Sequence, residues 1–259
     1  MRPMNSSIPD WRGRRVWVVG ASSGIGAALA TELLKAGARV AVSARSTDSL
    51  QALAHNHASA IVAPLDIVDV EAWGSQYRAI CDQVGGVDLI VFCAADYQSQ
   101  RSWEVTAASA ARTLAVNLSS VYTGLATVLP DMLARGSGGV AIVASVAGYL
   151  GLPNASVYGP GKAALIYLAE LLYLDLHPRG LDVYPINPGF VQTSLTAKND
   201  FSMPALQTPH AAAQAIQRGL TRGAFEIHFP KRFTWAIKFF RMLPYRLRFI
   251  IMAKMLKTQ

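Results

Sequence analysis

The feature that most constrains the fold is a regular alternation of short apolar runs and helical patterns along most of the chain. Runs such as Arg15–Val19 and Val140–Ala144 are almost entirely apolar, which is typical of strands buried on both faces. A helical pattern follows each run, and the unit recurs roughly every 20–30 residues. Such units build a parallel sheet, and right-handed crossovers make it doubly wound. We therefore predict an α/β fold of about seven parallel strands with helices on both faces.

The predicted elements follow one another without an internal repeat or a low-complexity linker, so we expect a single sheet. The predicted strands are Arg15–Val19, Arg39–Ala44, Ala60–Pro64, Asp88–Ala94, Val140–Ala144, Leu181–Ile186 and Phe225–Phe229. The predicted helices are Ile25–Lys35, Asp48–Asn56, Val70–Val84, Val105–Ala134, Tyr158–His177 and His210–Leu220.

Composition bears on compartment and on metal binding. Hydrophobic residues make up 52% of the chain, so a membrane-spanning helix must be considered. The longest stretch without a charge, between Arg135 and Lys162, is broken by Gly, Ser, Asn and Pro, which makes it a poor spanning helix. No apolar signal core follows the polar first ten residues, so we expect a cytoplasmic protein. The two cysteines, Cys81 and Cys93, lack C-x-x-C spacing. We interpret them as buried free thiols and predict no metal site.

A glycine-rich turn follows the first predicted strand. The segment Gly20-Ala-Ser-Ser-Gly24-Ile-Gly26 has the spacing G-x-x-x-G-x-G and opens the first predicted helix. Glycines allow a close approach of the backbone to a ligand, and the free N–H groups of a helix N-terminus attract an anion. The position of the turn between a strand and a helix favours a dinucleotide pyrophosphate site over a plain structural turn.

The end of the second predicted strand bears on the choice of cofactor. An NAD site usually has an acidic residue here that binds a ribose hydroxyl, whereas this chain reads Ser43-Ala44-Arg45. The planar guanidinium of Arg45 is suited to bidentate contact with a 2′-phosphate. We therefore favour NADP(H) over NAD(H), the alternative being that Arg45 is an ordinary surface cation.

Tyr158 and Lys162 form a Y-x-x-x-K pair at the start of a predicted helix. This spacing puts both side chains on one helix face. A neighbouring cation favours a phenolate, so we expect Lys162 to lower the pKa of Tyr158 from its ordinary value near 10. Pro160 is tolerated in a first helical turn, which agrees with a helix that begins near Tyr158. Ser145 ends the fifth strand, at the sheet edge where ligands bind.

These motifs, in this order, resemble the classical short-chain dehydrogenase/reductase family over about residues 14–195. The resemblance implies a Rossmann-type sheet in a dinucleotide-binding catalytic domain, residues 1–230, that transfers hydride between a nicotinamide cofactor and a carbonyl or alcohol. Tyr158 would be the acid/base, Ser145 would bind the substrate oxygen, and Lys162 would also hold the nicotinamide ribose. Asn117, in the run Val116–Ser119, matches the fourth catalytic position, which holds a water beside the lysine.

The resemblance also implies cofactor contacts. Ser22 is expected beside the 2′-phosphate and Asp66 beside the adenine. In the turn after the sixth strand, the backbone of Val191 and the hydroxyl of Thr193 are expected at the carboxamide. The full predicted cofactor-binding set is Gly20, Ser22, Ser23, Gly24, Ile25, Gly26, Arg45, Asp66, Ala94, Lys162, Pro188, Gly189, Val191 and Thr193.

The chain departs from the family pattern in two places. After the fourth strand the family shows N-A-G, whereas this chain has Cys93-Ala94-Ala95, which removes an expected polar brace near the adenine. The second departure is a C-terminal extension, residues 231–259, which Pro244 should divide into two helices. The net charge of the chain is +8, and this extension holds eight basic residues and no acid.

Three roles remain open for the extension: contact with an anionic membrane surface, a lid on the substrate pocket, or an oligomer contact. Basic helices with bulky apolar faces are typical of membrane interfaces. No nucleic-acid motif accompanies the charge, so we do not expect nucleic acid as a partner. The family analogy implies a homodimer or homotetramer formed through the long helices.

Two classes of function also remain open. The first is an NADPH-preferring enzyme that interconverts a ketone and a secondary alcohol on an apolar or lipid-like substrate, such as a 3-oxoacyl group. The second is a low-turnover NADPH-binding sensor or scaffold at a membrane surface. The intact Ser145, Tyr158 and Lys162 favour the first. An extended epimerase or dehydratase would need a larger C-terminal domain. We expect the substrate walls in residues 96–101, 149–156 and 195–207.

Overall fold

The computed structural model of the chain describes residues 3–198 and 203–257, with the side chains of residues 3–197 and 203–253. Seven strands form one parallel sheet in the order β3-β2-β1-β4-β5-β6-β7. The strands are β1 (Arg15–Val19), β2 (Arg39–Ser43), β3 (Ala60–Val62), β4 (Leu89–Phe92), β5 (Gly138–Val143), β6 (Leu181–Pro188) and β7 (Ile227–Phe229). The order reverses between β1 and β4, so the sheet is doubly wound and the predicted Rossmann-type α/β fold is confirmed.

The helices cover both faces of this sheet. They are α1 (Gly24–Lys35), α2 (Thr47–Ala54), α3 (Val70–Val84), α4 (Ala107–Leu114), α5 (Ser120–Arg135), α6 (Tyr158–Leu176), α7 (Pro209–Thr221), α8 (Lys231–Arg241) and α9 (Tyr245–Lys257). Because side chains of a strand alternate, Val16 and Val18 of β1 pack in the layer of α1, α2 and α7, and Trp17 packs in the layer of α3, α5 and α6. The two apolar layers pack against opposite faces of the sheet and so fix the position of its carboxyl edge.

The long helix predicted over Val105–Ala134 contains an irregularity that the sequence pattern did not reveal. A π-helical turn, Ala115–Ser119, separates α4 from α5. Asn117 is buried in this turn, where its Oδ1 accepts from the Asp96 amide at 2.7 Å and its Nδ2 donates to the Asp96 carbonyl at 2.8 Å. The prediction of one regular helix is therefore wrong here. A wide turn shifts the register by a single residue, too little to disturb a hydropathy pattern.

Strand ends at the carboxyl edge also differ from the prediction. β4 stops at Phe92. Cys93 and Ala94 then pass close to Gly20, and a Cβ added to Gly20 would overlap the Ala94 backbone. β6 continues to Pro188 because its last three residues pair with β7. The Cys93 amide still donates to the Val19 carbonyl at 2.8 Å, and the residues that follow it lie beyond the strand at the carboxyl edge of the sheet.

The first C-terminal helix, α8, lies at the β7 edge of the sheet. Thr234 of α8 is fully buried against β7, where its hydroxyl and His228 Nδ1 share a hydrogen bond of 2.6 Å. The outward sides of α8 and α9 expose large apolar side chains among basic ones, with more than half of the surface exposed on Trp235, Phe239, Met242, Tyr245, Phe249 and Ile250. Within the part of the chain that the structure describes, no helix has the length and hydropathy to cross a membrane.

Candidate active site

A cleft of about 590 Å³ runs along the carboxyl edge of the sheet, where the strand order reverses between β1 and β4. Open α/β sheets bind ligands at this position. All fourteen residues predicted to bind the cofactor line the cleft, together with Ser145 and Tyr158. Asn117 does not line it and lies behind Asp96, to whose backbone it is hydrogen-bonded. The structure therefore brings motifs from distant parts of the sequence to one place.

The glycine turn forms a narrow cradle at the start of α1. A Cβ on Gly26 would overlap the carbonyl oxygen of Gly20, so only glycine permits this approach. Ser23, the N-cap of α1, makes no side-chain cap hydrogen bond, whereas Ser46 and Asp69 cap α2 and α3. The amides of the first turn of α1 are thus left for a ligand, and the cradle fits the pyrophosphate of a dinucleotide.

One side of the cleft, beside β2, is basic and rich in hydroxyl groups. Arg45 is exposed there and lines the cleft with Ser22 and Ser46. Ser46 was not predicted, since a serine before a helix indicates only a cap. Arg112 of α4 was also missed; it lines the cleft with its Nε 3.7 Å from Asp96 Oδ2. No local signal marks Arg112, because its place depends on how α4 packs.

Tyr158 and Lys162 lie on the first turns of α6, which begins at Tyr158 as predicted. Lys162 is only 2% exposed, and its Nζ donates to the Val143 carbonyl at 2.8 Å and lies 5.4 Å from the centre of the Tyr158 ring. Burial lowers the pKa of Lys162 to about 8. The ammonium group therefore lies beside the Tyr158 ring and is oriented by the end of β5.

The pKa of Tyr158 is shifted in the direction opposite to our expectation. Burial raises the pKa of the phenol to about 12, and a hydrogen bond with Ser145 opposes this rise. Tyr97, from the segment after β4, packs edge-on against Tyr158 with ring centres 5.1 Å apart. The expected lowering by Lys162 is wrong for this structure, because loss of solvation dominates and electrostatic interactions with Tyr97 and Cys93 raise the pKa further. The phenol is held protonated at neutral pH.

Cys93 occupies the position at which the family pattern has asparagine. The thiol is free, as predicted, and both Cys81 and Cys93 are half-buried. Cys93 borders the cleft, and burial raises its pKa to about 12 against the opposing charge of Lys162. Because only a thiolate is a strong nucleophile, Cys93 is a neutral wall of the cleft.

The predicted substrate walls are only partly found at the cleft. Asp96 and Leu195 line it, whereas residues 199–202 lie outside the described residues. Tyr149 does not line the cleft; its hydroxyl instead donates to Glu226. Contacts between α8 and the sheet decide this orientation, and they could not be predicted from the loop sequence.

The chain belongs to the short-chain dehydrogenase family, whose model matches residues 14–202. It is similar to an uncharacterised oxidoreductase of Myxococcus xanthus, 34% identical over 235 residues, which are 89% of this chain and 93% of that protein. A second uncharacterised oxidoreductase, from Staphylococcus haemolyticus, is 31% identical over 219 residues, which are 84% of this chain and 95% of its own length. The protein is therefore an oxidoreductase of this family.

Solved structures agree on the fold. A short-chain dehydrogenase from Streptomyces avermitilis superposes with a TM-score of 0.80 at 26% identity, covering 94% of this chain and 97% of the other. A short-chain dehydrogenase from Sphingobium yanoikuyae, solved in complex with NADPH, has a TM-score of 0.76 at 24% identity, covering 84% and 88%.

Proposed function

We propose that this oxidoreductase interconverts a ketone and a secondary alcohol with NADP(H), using Tyr158 as the acid/base. The observation that carries the proposal is that Ser145, Tyr158 and Lys162 border the same cleft as the glycine cradle. A nucleotide held by the cradle would therefore share a cleft with a phenol that can exchange a proton with a substrate oxygen.

The chain's own residues supply binding and proton transfer. When bound, NADP(H) supplies or accepts the hydride. For reduction, the hydroxyl of Tyr158 gives its proton to the carbonyl oxygen, and the raised pKa keeps that proton available at neutral pH. Ser145 orients the oxygen through a hydrogen bond. Lys162 would stabilise the phenolate that remains and would hold the nicotinamide ribose, while Asn117 braces the segment around Asp96.

The preference for NADP(H) rests on charge beside β2. Arg45 and two serines border the cleft where a 2′-phosphate would lie. Among the described residues that line the cleft, the acids are Asp66 and Asp96, which follow β3 and β4 rather than β2. A carboxylate that would select a free ribose hydroxyl is therefore missing from this set. The Sphingobium protein, which shares the fold, supports the proposal as a protein solved with NADPH.

We infer an apolar, lipid-like substrate, such as a 3-oxoacyl group, taken from an anionic membrane surface. This rests on the exposed aromatic residues and the basic excess of α8 and α9. We do not favour the lid, one of the three roles left open for the extension, because none of the described residues of these helices lines the cleft. We also propose assembly into a dimer or tetramer through α6, whose outer side exposes Tyr167, Leu171 and Leu174.

NADPH oxidation by the purified protein tests the proposed reaction, with ketones and 3-oxoacyl thioesters of increasing chain length as substrates. We expect turnover that rises with chain length. The variant Tyr158→Phe removes only the hydroxyl, so its kcat should fall by about 10²–10⁴-fold while the Kd for NADPH changes less than about twofold. Tight NADPH binding without turnover on any substrate would instead support the sensor or scaffold.

A further inference from the structure

One carboxylate at the β7 edge, outside the cleft, accepts hydrogen bonds from side chains of three separate segments. Glu226 Oε1 accepts from the Tyr149 hydroxyl and, at 2.8 Å, from Asn187 Nδ2, while its Oε2 accepts from Lys238 Nζ. Tyr149 lies four residues after Ser145, Asn187 directly precedes Pro188, and Lys238 belongs to α8. Glu226 thus joins the C-terminal extension to two segments that continue into the active site.

The charges in this cluster are compensated although they are largely removed from water. The side chains of Lys238 and Glu226 are 24% and 27% exposed. Burial tends to raise the pKa of Glu226, but the hydrogen bonds from Lys238, Tyr149 and Asn187 outweigh it and hold the pKa below its ordinary value. Glu226 is therefore ionised at neutral pH, and loss of Lys238 would leave a partly buried carboxylate without its cation.

A second contact connects α8 to the same active-site segment. A Cβ added to Gly189 would lie 2.9 Å from Cδ1 of Phe233, so the Phe233 ring packs directly behind the Gly189 backbone. The Gly189 amide donates to the Phe229 carbonyl at 2.7 Å, and the Phe190 and Phe233 rings lie 5.8 Å apart. Because Gly189 lines the cleft, α8 supports the cleft from its outer side.

We propose that Glu226 and Lys238 are positioning residues that hold α8 against the segments around Asn187 and Tyr149, and so fix the part of the cleft formed by Pro188 and Gly189. The kinetic consequence rests on the proposed reductase function, whereas the effect on local order and on NADPH binding does not. Glu226 and Lys238 lie beyond the residues that the family model matches.

Amide hydrogen exchange and NADPH fluorescence titration of the full-length protein test the inference without a substrate. Lys238→Met keeps the apolar stem and removes the charge. We expect exchange at residues 187–191 to become at least tenfold faster and the Kd for NADPH to rise about threefold or more. Lys238→Arg should restore both to within twofold. Arg222→Met, which removes an exposed cation four residues before Glu226, should change neither.

Two further measurements separate positioning from general stability. Tyr149→Phe keeps the ring and removes one donor to Glu226, so it should speed exchange at residues 147–150 even if Lys238→Met does not fold. If a substrate is found, Lys238→Met should lower kcat at saturating NADPH. A loss of stability alone would reduce the amount of folded protein but would not change kcat per folded molecule. Unchanged exchange in both variants, or equal effects in Arg222→Met, would overturn the inference. If hydrogen exchange changes in the variants but no substrate is turned over, only the proposed reductase function is contradicted.

Discussion

At the scale of single residues, burial sets the protonation states of the site. It raises the pKa of Tyr158 and Cys93 and lowers that of Lys162, so all three are shifted towards their neutral forms. The residue types and their order could be recognised in the sequence, but the direction of the Tyr158 shift could not. A spacing of four residues shows which side chains are neighbours, and it does not show how much water reaches them.

The lowered pKa of Lys162 predicts a pH dependence of stability. Its pKa is about 8 in the folded chain, against a model-peptide value of 10.5. Between these values the unfolded chain binds more protons, so Lys162 makes the free energy of unfolding increase with pH. In urea titrations from about pH 8 to pH 10, the wild type should gain on the order of 1–3 kcal/mol more than Lys162→Met. Parallel curves would contradict the shift. The raised pKa of Tyr158 has the opposite effect: above pH 10 it makes the free energy of unfolding decrease with pH, because the unfolded chain then binds fewer protons.

The charge of Arg45 should decide between the two nicotinamide cofactors. Arg45→Gln keeps a polar side chain but removes the cation that would face a 2′-phosphate. The Kd for NADPH should rise about tenfold or more, since charge-assisted contacts with phosphate are strong, and the Kd for NADH should stay within about twofold. Fluorescence titration with both cofactors measures this, with Arg78→Gln on α3 as the matched exposed control. An equal loss for both cofactors would refute the preference.

At the scale of elements, the residues of the candidate site lie at the ends of strands and helices. α1 begins at the cleft without a side-chain cap, so the amides of its first turn are left open to a ligand. The π turn between α4 and α5 similarly places Asn117 on the Asp96 backbone. Element types were predictable from periodicity, but these terminal details depend on contacts with distant segments.

The outer side of α6 predicts how copies of the chain assemble. Tyr167, Leu171 and Leu174 recur at helical spacing and are exposed, which forms an apolar stripe along the helix. In analytical ultracentrifugation, the wild type should sediment as a dimer or tetramer. Leu174→Glu should shift it towards smaller species, because a charge would be buried in the contact. Val70→Glu, an equally exposed apolar position on α3, is the control. A monomeric wild type would contradict the proposed assembly.

At the scale of the whole molecule, charge and exposed aromatic surface are concentrated at the C-terminal end. Residues 231–259 hold eight cations, and the remainder of the chain has 16 basic and 16 acidic residues. The apolar side chains of α8 and α9 lie among these cations. A surface of this kind combines attraction to anionic lipid with aromatic anchoring at the interface.

Vesicle flotation with the full chain tests this surface. The protein should bind phosphatidylcholine vesicles that contain phosphatidylserine, and the binding should weaken as salt is raised because the attraction is screened. Trp235→Ser combined with Phe239→Ser should reduce binding at least tenfold, whereas Trp103→Ser, an exposed tryptophan elsewhere, should not. Equal binding to vesicles of phosphatidylcholine alone, or none to either, would rule out an anionic membrane surface as partner.

The doubly wound sheet and the residues that line the cleft were predictable because their signals are local. Apolar runs such as Val140–Ala144 mark buried strands, and the glycine spacing at Gly20 can be recognised within one short segment. Once the strands are parallel, their carboxyl ends meet at one edge, so residues such as Arg45 and Pro188 had to come together.

Contacts between segments far apart in the sequence were decided only in three dimensions. The direction of the pKa shift of Tyr158, the amide contacts of Asn117 and the orientation of Tyr149 each depend on which partner packs beside the residue. The Glu226–Lys238 pair shows this most clearly, because it gives the C-terminal extension a structural connection to the active site. Desolvation and side-chain packing depend on the density of surrounding atoms, which no short stretch of sequence specifies.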